Sequence, residues 1–349
     1  MLRPELTVQS GKGTSFDFRL GNSAVRYVRL QFISNGGSGN RWLLTIRDSN
    51  LRVLDTVSDA QQSAGLVVWT KRIYTDGRLL FELAAESADG TLKLSQAIVM
   101  PEGAEQPYYS LRDSTNPKFK PLYESDTEFR RLGDHVGFLT ASSPQASWCC
   151  SGVAVGEDLF LTNFHCDADY AKKTDDEVWA QDVCDRTFVD FSWDGDRMGR
   201  EFRCAQVVSK NRASDYALLR LAPSALGDRL TPARLRVDTP RKGEFVRIVH
   251  HPACRPKQLS SACTIEQATR AGWTGAGNRD FGHSCDTEGG SSGAPVYDTD
   301  NRVIGIHHLG FALGADGQCD FENKGTSIQG ILESSNADTR ALLQKAAGK

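Results

Sequence analysis

Strict alternation of apolar and polar residues does most to limit what this chain can fold into. In RYVRLQF, residues 26–32, Val28, Leu30 and Phe32 fall on one side and Arg29 and Gln31 on the other. Successive side chains of a strand point to opposite faces, so a period of two marks a half-buried strand. TSFDFRL repeats the pattern with Phe16, Phe18 and Leu20, RWLLTIRD with Trp42, Leu44 and Ile46, and RLLFEL with Leu79, Phe81 and Leu83. SNGGSGN, DSN and ADG separate these runs and supply turns. Several such strands with no helical period predict a small β-sandwich over residues 1–105. The stretch 101–125 holds four prolines and no periodicity, which predicts a linker at 106–128. A second all-β pattern fills residues 129–349, through HVGFLT, SGVAVG, DLFLTN, REFRCAQVV, DYALLRL, FVRIVH, APVYD and RVIGIHH. ADTRALLQKAAG, with Leu342 and Leu343 among helix formers, predicts a C-terminal helix.

The bulk numbers exclude several function classes. A chain of 349 residues with net charge −3 has no basic field for nucleic acid and no polybasic patch for a membrane surface. No apolar run approaches the roughly 18 to 20 residues of a spanning helix. The opening MLRPELTVQS shows no apolar signal-peptide core. All nine cysteines lie between Cys149 and Cys319, and the first 148 residues have none. Cysteines confined to one region argue for disulfides in one domain, and so for an extracytoplasmic setting, secreted or periplasmic. The alternative is a cytoplasmic protein with buried, reduced thiols. The odd count leaves at least one thiol outside any internal pair.

Three local patterns carry chemistry. LFLTNFHC, residues 159–166, ends an apolar strand at Thr-Asn and places His165 beside Cys166. SDYALLRL, residues 214–221, sets Asp215 at the mouth of another apolar strand. GGSSGAP, residues 289–295, puts two hydroxyls on a glycine-rich turn. Each alone has a plain reading, as a satisfied polar residue, a turn cap or a loop. Together they supply what acyl transfer needs. A serine hydroxyl is a weak nucleophile near neutral pH and requires an adjacent base. An imidazole suits that role, and a carboxylate on its far nitrogen fixes the tautomer.

The order and surroundings of these motifs resemble the trypsin-like serine peptidases. LTNFHC is similar to that family's histidine motif, DYALLRL to its aspartate motif, and GGSSGAP to its G-x-S-G-x-P serine motif. The separations, 50 residues from His165 to Asp215 and 77 from Asp215 to Ser292, are of the family's scale. The likeness covers roughly residues 130–349 and leaves the first 100 untouched. It implies a chymotrypsin-like double β-barrel after the sandwich, with a catalytic triad of His165, Asp215 and Ser292. It implies an oxyanion hole from the backbone N–H groups of Gly290 and Ser292, no cofactor, and a protein or peptide substrate. Bacterial glutamyl and lysyl endopeptidases share the G-G-S-S-G or G-G-x-S-G pattern and are the members the motif points to. Ser291 stands where trypsin has an aspartate that pairs with a new amino terminus. No IVGG-like sequence opens the second half, so activation by that route is not expected.

The resemblance leaves specificity open. Asp286, six before Ser292, takes the place that selects Lys or Arg in trypsin. Thr287, with His307 on a later strand, matches the glutamyl endopeptidase pattern and favours Glu or Asp, the reading preferred slightly here. Asp320 and Glu322 lie on a segment that would reach the same pocket and favour lysine. For His307 and His308 the plain alternative is packing and edge-strand polarity. The family's histidine-loop disulfide implies the pair Cys150 and Cys166. Cys263 with Cys285 is suggested by their positions flanking the approach to Ser292, and Cys184 with Cys204 less strongly. A zinc site lacks both C-x-x-C and H-x-x-x-H, and GGSGN at 36–40 lacks the P-loop lysine. Three rivals remain: a silent protease fold acting as scaffold, a sandwich that binds glycan or protein as the main function, and an intracellular regulatory protease.

Overall fold

The alternating runs become paired strands in the computed structural model. It describes residues 6–11, 13–17, 25–34, 41–61, 67–70, 73, 75, 77–86, 91–101, 109–110, 118–142, 147–167, 170–194, 200–223, 228–272, 277, 279–310, 312–313, 319–320 and 322–348. The chain divides into two compact units, Met1–Ala104 and Glu105–Lys349.

The first unit is two four-stranded antiparallel sheets. One is built around Val25–Ser34 paired with Thr91–Pro101, the other around Trp42–Arg47 paired with Arg78–Ala85. Their inward residues are those the alternation selects. Val28, Leu30, Phe32, Leu44, Ile46, Leu79 and Phe81 are fully buried in one core, with Trp42 and Leu83 nearly so. Phe32 and Phe81 meet edge to face at 5.7 Å across it. Phe18 and Leu20 lie outside the described residues, as does the Phe16 side chain.

The second unit is two barrels. The first closes through Val136–Ser142, Ser147–Ala154, Leu159–Thr162, Tyr216–Leu221, Glu201–Asn211 and Phe188–Asp190. The second runs Gln258–Arg270, Phe245–His250, Pro295–Tyr297, Val303–Leu309, Asn323–Ser327 and Asp280–His283, and pairing of the first and last of these closes it. Between them lies a shared apolar layer, with Leu161 and Leu218 from the first barrel and Val249, Leu259 and Ile306 from the second. Leu343 of the C-terminal helix Ala337–Ala346 seals it. Asn336 caps that helix by accepting the Thr339 N–H at 2.9 Å. A second helix, Ile328–Ser334, has no strong periodic signature in the sequence and buries Ile328 and Ile331 in the same layer.

The stretch expected as a linker does more than connect. Phe119–Pro121 adds a strand to the second barrel's sheet, Tyr109–Ser110 pairs with Thr287–Glu288, and Thr127–Leu132 is a helix. Proline at 121 ends a strand that uses only one edge, where its missing donor costs nothing. Four disulfides are formed, Cys150–Cys166, Cys184–Cys204, Cys263–Cys285 and Cys149–Cys254. The last was not foreseen in the sequence, because its partners are 105 residues apart. The side chain of the ninth cysteine, Cys319, lies outside the described residues.

Candidate active site

The site is assembled from both barrels. The strand Leu159–Thr162 pairs with Tyr216–Leu221, which brings the residues after one strand beside those before the other. His165 follows the first, in a short 3-10 turn Phe164–Cys166 pinned by the disulfide at Cys166. Asp215 precedes the second, in a left-handed conformation with φ of +43°. Such a conformation costs a non-glycine residue on the order of 1–3 kcal/mol and persists only where the surroundings enforce it. Here Asn163 donates from Nδ2 to the Asp215 carbonyl at 2.8 Å, and Asp215 Oδ1 accepts the His165 backbone N–H at 3.0 Å.

Three side chains then line up. Asp215 Oδ2 lies 2.7 Å from His165 Nδ1, and His165 Nε2 lies 2.8 Å from Ser292 Oγ. Burial works to raise the Asp215 carboxyl, but the charges and hydrogen bonds of His165 and His308 outweigh it and hold the group at about 2. Asp215 is therefore an anion at any ordinary pH, and its position favours the Nδ1–H tautomer of His165. That leaves Nε2 free to accept a proton from Ser292.

The serine turn is held open by backbone geometry. Gly290 and Gly293 sit at φ of +94° and +85°, where side-chain-bearing residues are strained. A Cβ on Gly290 would meet the His251 carbonyl at 2.6 Å, and one on Gly293 the Ser151 carbonyl at 2.2 Å. Ser151 ties this turn down. It donates from Oγ to the Gly290 carbonyl at 2.8 Å, accepts the His251 N–H at 2.9 Å, and donates its own N–H to the Ser292 carbonyl at 2.7 Å. With its carbonyls so engaged, the turn leaves the Gly290 and Ser292 N–H groups without a backbone or side-chain acceptor among the described residues.

Ser291 faces inward. Its Oγ lies 2.8 Å from His250 Nδ1 and accepts the Glu288 N–H at 3.1 Å. Burial, with the Arg255 charge second, pushes His250 down to about 3, so this anchor is neutral.

Asp286, Thr287, His307 and Glu322 are buried but differ in their engagements. Asp286 accepts the Lys118 N–H on Oδ2 at 2.8 Å. Thr287 Oγ1 is buried with no hydrogen-bond partner among the described residues. His307 Nδ1 lies 3.1 Å from His283 Nε2. Burial first, then neighbouring His283 and His308, hold His307 well below the usual histidine range. His307 and His308 do not sit on an edge, since their strand lies between Pro295–Tyr297 and Asn323–Ser327. Glu322 pairs with Arg270, and the Asp320 side chain lies outside the described residues. Cys150, His165 and Cys166 place three metal-type donors close together, but both sulfurs are committed to a disulfide.

Sequence reasoning missed Asn163, Ser151, His250, His308 and Asp280. Only the Asn of LTNFHC, beside the histidine, offered a local signal; the others meet the site through long-range strand pairing.

The chain is similar in part to several known proteins. Residues 150–306 match the family described as a trypsin-like peptidase domain. Secreted RxLR effector protein 73 of Plasmopara viticola is 28% identical over 204 residues, which is 56% of this chain and 50% of that protein. A glutamyl endopeptidase of Staphylococcus epidermidis is 27% identical over 182 residues, 51% of this chain and 60% of the enzyme. The chain thus spans between half and three fifths of the length of these relatives. Among solved structures, the active form of the Rv3671c protease from M. tuberculosis has a TM-score of 0.44 at 17% identity, over 63% of this chain and 90% of that one. Residues 150–306, which run from the first barrel into the second, are thus similar to a trypsin-like peptidase domain.

Proposed function

We propose that the chain is a serine endopeptidase acting through an acyl-enzyme. The observation that supports it most is the hydrogen-bonded row Asp215–His165–Ser292, with both links shorter than 3 Å. Ser292 Oγ attacks the scissile carbonyl carbon as His165 Nε2 takes its proton. The oxyanion of the tetrahedral intermediate is met by the Gly290 and Ser292 N–H groups, which have no other acceptor among the described residues. Collapse breaks the C–N bond, and the proton on His165 passes to the departing amine. Water, activated by the same nitrogen, then releases the acyl group and restores the serine. Asp215 stays ionised throughout and stabilises the imidazolium.

For the residue on the acyl side of the cut bond we propose Glu or Asp. Asp286 already accepts the Lys118 N–H, which leaves it less able to act as a dedicated partner for a substrate cation. His307, held neutral and backed by His283, offers an N–H, and the buried Thr287 hydroxyl lacks a partner among the described residues. A relative of similar sequence is a glutamyl endopeptidase. The four disulfides support an extracytoplasmic setting.

A fluorophosphonate probe tests the nucleophile. The native chain is expected to label and Ser292→Ala to lose the label; labelling that persists in the variant moves the nucleophile elsewhere. An unlabelled native chain favours a silent scaffold. A peptide panel varying only the residue before the cut is expected to show cleavage after Glu or Asp, and cleavage confined to Lys or Arg rejects the His307 assignment.

A further inference from the structure

Behind Asp215 lies a second histidine that the reaction outlined above does not use. His308 is 2% exposed and stands on the central strand Val303–Leu309 of the second barrel. His308 stands at an irregularity in that strand's pairing with Asn323–Ser327, between His307 and Leu309. Its Nε2 lies 2.8 Å from Asp280 Oδ2, and its Nδ1 lies 3.3 Å from Asp215 Oδ2. Asp280 is fixed in turn by the Thr326 hydroxyl, which donates to Oδ1 at 3.1 Å. The row Ser292–His165–Asp215 therefore extends backward through His308 to Asp280, crossing from the first barrel into the second.

Charge decides what such a row can be. Two carboxylates, each within contact distance of one buried imidazole, are 1% and 2% exposed for Asp215 and Asp280. Burying two anions together without a cation is costly, and an imidazolium here hydrogen-bonds Asp280 through Nε2 and faces Asp215 at ion-pair distance through Nδ1. Burial alone would lower His308, but Asp280 and Asp215 reverse that and raise it to about 9. The titratable groups around it are Asp215 from the turn before strand Tyr216–Leu221, Asp280 from a strand one beyond its neighbour Asn323–Ser327, His307 next in the chain, and His165 beyond Asp215.

We propose that His308 is a positioning residue that stands as an imidazolium between Asp280 and Asp215, aiming the Asp215 carboxylate at His165 and offsetting its charge. This rests on the peptidase reading and adds to it. His308 never touches substrate. It fixes which Asp215 oxygen serves His165, since Oδ2 is held from both sides while Oδ1 takes the His165 backbone N–H. It also tempers how strongly that carboxylate attracts a proton to His165. A unit charge about 6 Å away at an effective dielectric near 20 alters proton affinity by roughly a hundredfold.

The test uses the full chain and a pH profile of fluorophosphonate labelling. His308→Gln keeps a polar side chain but removes the cation. The labelling rate is expected to fall about tenfold, and its acid limb to move up by as much as about two pH units. An acid limb unchanged from the native profile overturns the proposal, because a purely structural loss lowers the rate without moving the limb. Should His308→Gln fail to fold, histidine-ring NMR of the Ser292→Ala chain decides it. Both ring nitrogens of His308 are expected to carry protons at pH 7.5, and a neutral ring there overturns the proposal. Should the native chain not label at all, the peptidase reading fails, and the same NMR measurement judges His308 independently.

Discussion

The two barrels of the second unit have the same strand count but spend their interiors differently. The first is packed with aromatic bulk: Phe160, Trp179, Phe191 and Phe202 are all nearly inaccessible. Phe160 and Phe191 meet edge to face at 5.7 Å, and Phe191 and Phe202 at 5.6 Å. Gly137 and Gly152 are hollows for the Phe160 ring, whose atoms lie 2.9 and 2.3 Å from where their Cβ atoms would stand. The second barrel has a smaller apolar cluster around Val246, Ile248, Phe281 and Val296. Beside it are buried His250, His283, His307, His308 and Asp280. The first barrel is thus a rigid frame that presents His165 and Asp215. The second holds the polar groups that shape the serine turn and face Asp215 from behind. A buried polar group is tolerated only when its partners are in place, so the second barrel is specified by hydrogen bonds where the first is specified by volume.

That contrast is open to direct attack. The larger effect is expected in the first barrel. Phe160→Ala should cost about 3–5 kcal/mol, because the hollow formed by two glycines has no side chain of its own to refill the space. Denaturant unfolding of the full chain measures it, and a loss under about 1 kcal/mol would mean the frame is not volume-specified.

The second barrel should reveal itself through pH. His250 is held at about 3, below the ordinary histidine value of 6.5, so the unfolded chain binds a proton that the folded one refuses. Its contribution is fully present above about pH 6.5 and is lost as pH falls toward 3, at about 1.4 kcal/mol per pH unit. His308 works in the opposite sense. Raised to about 9, it contributes fully below about pH 6.5 and loses that contribution as pH rises through 9. Thermal unfolding across pH 4 to 10 should therefore show stability falling on both sides, and His250→Gln should flatten the acid side. An acid side unchanged in that variant removes His250 from the account.

Much of the fold was legible in particular residues. Val28, Leu30 and Phe32 were assigned to one face by alternation and are fully buried. His165, Asp215 and Ser292 were singled out by motif and lie in hydrogen-bonded sequence. The pairs Cys150–Cys166, Cys184–Cys204 and Cys263–Cys285 are formed as expected. Each of these depends on local spacing, or on a motif whose residues lie within a few positions of one another.

What escaped the sequence is of another kind. Cys149–Cys254 joins distant segments, Ser151 reaches Gly290 across 139 residues, and His308 reaches Asp215 across the gap between barrels. None leaves a mark in its own neighbourhood. HH in VIGIHH reads as two polar residues on a strand until the sheet order places that strand centrally. The sequence by itself determined the strands and the division into two β regions and picked out His165, Asp215 and Ser292, because period and motif are short-range properties of the chain. Only the tertiary structure decided which groups surround those side chains and what charge they hold there, because charge inside a protein depends on burial and on partners brought in from far along the chain.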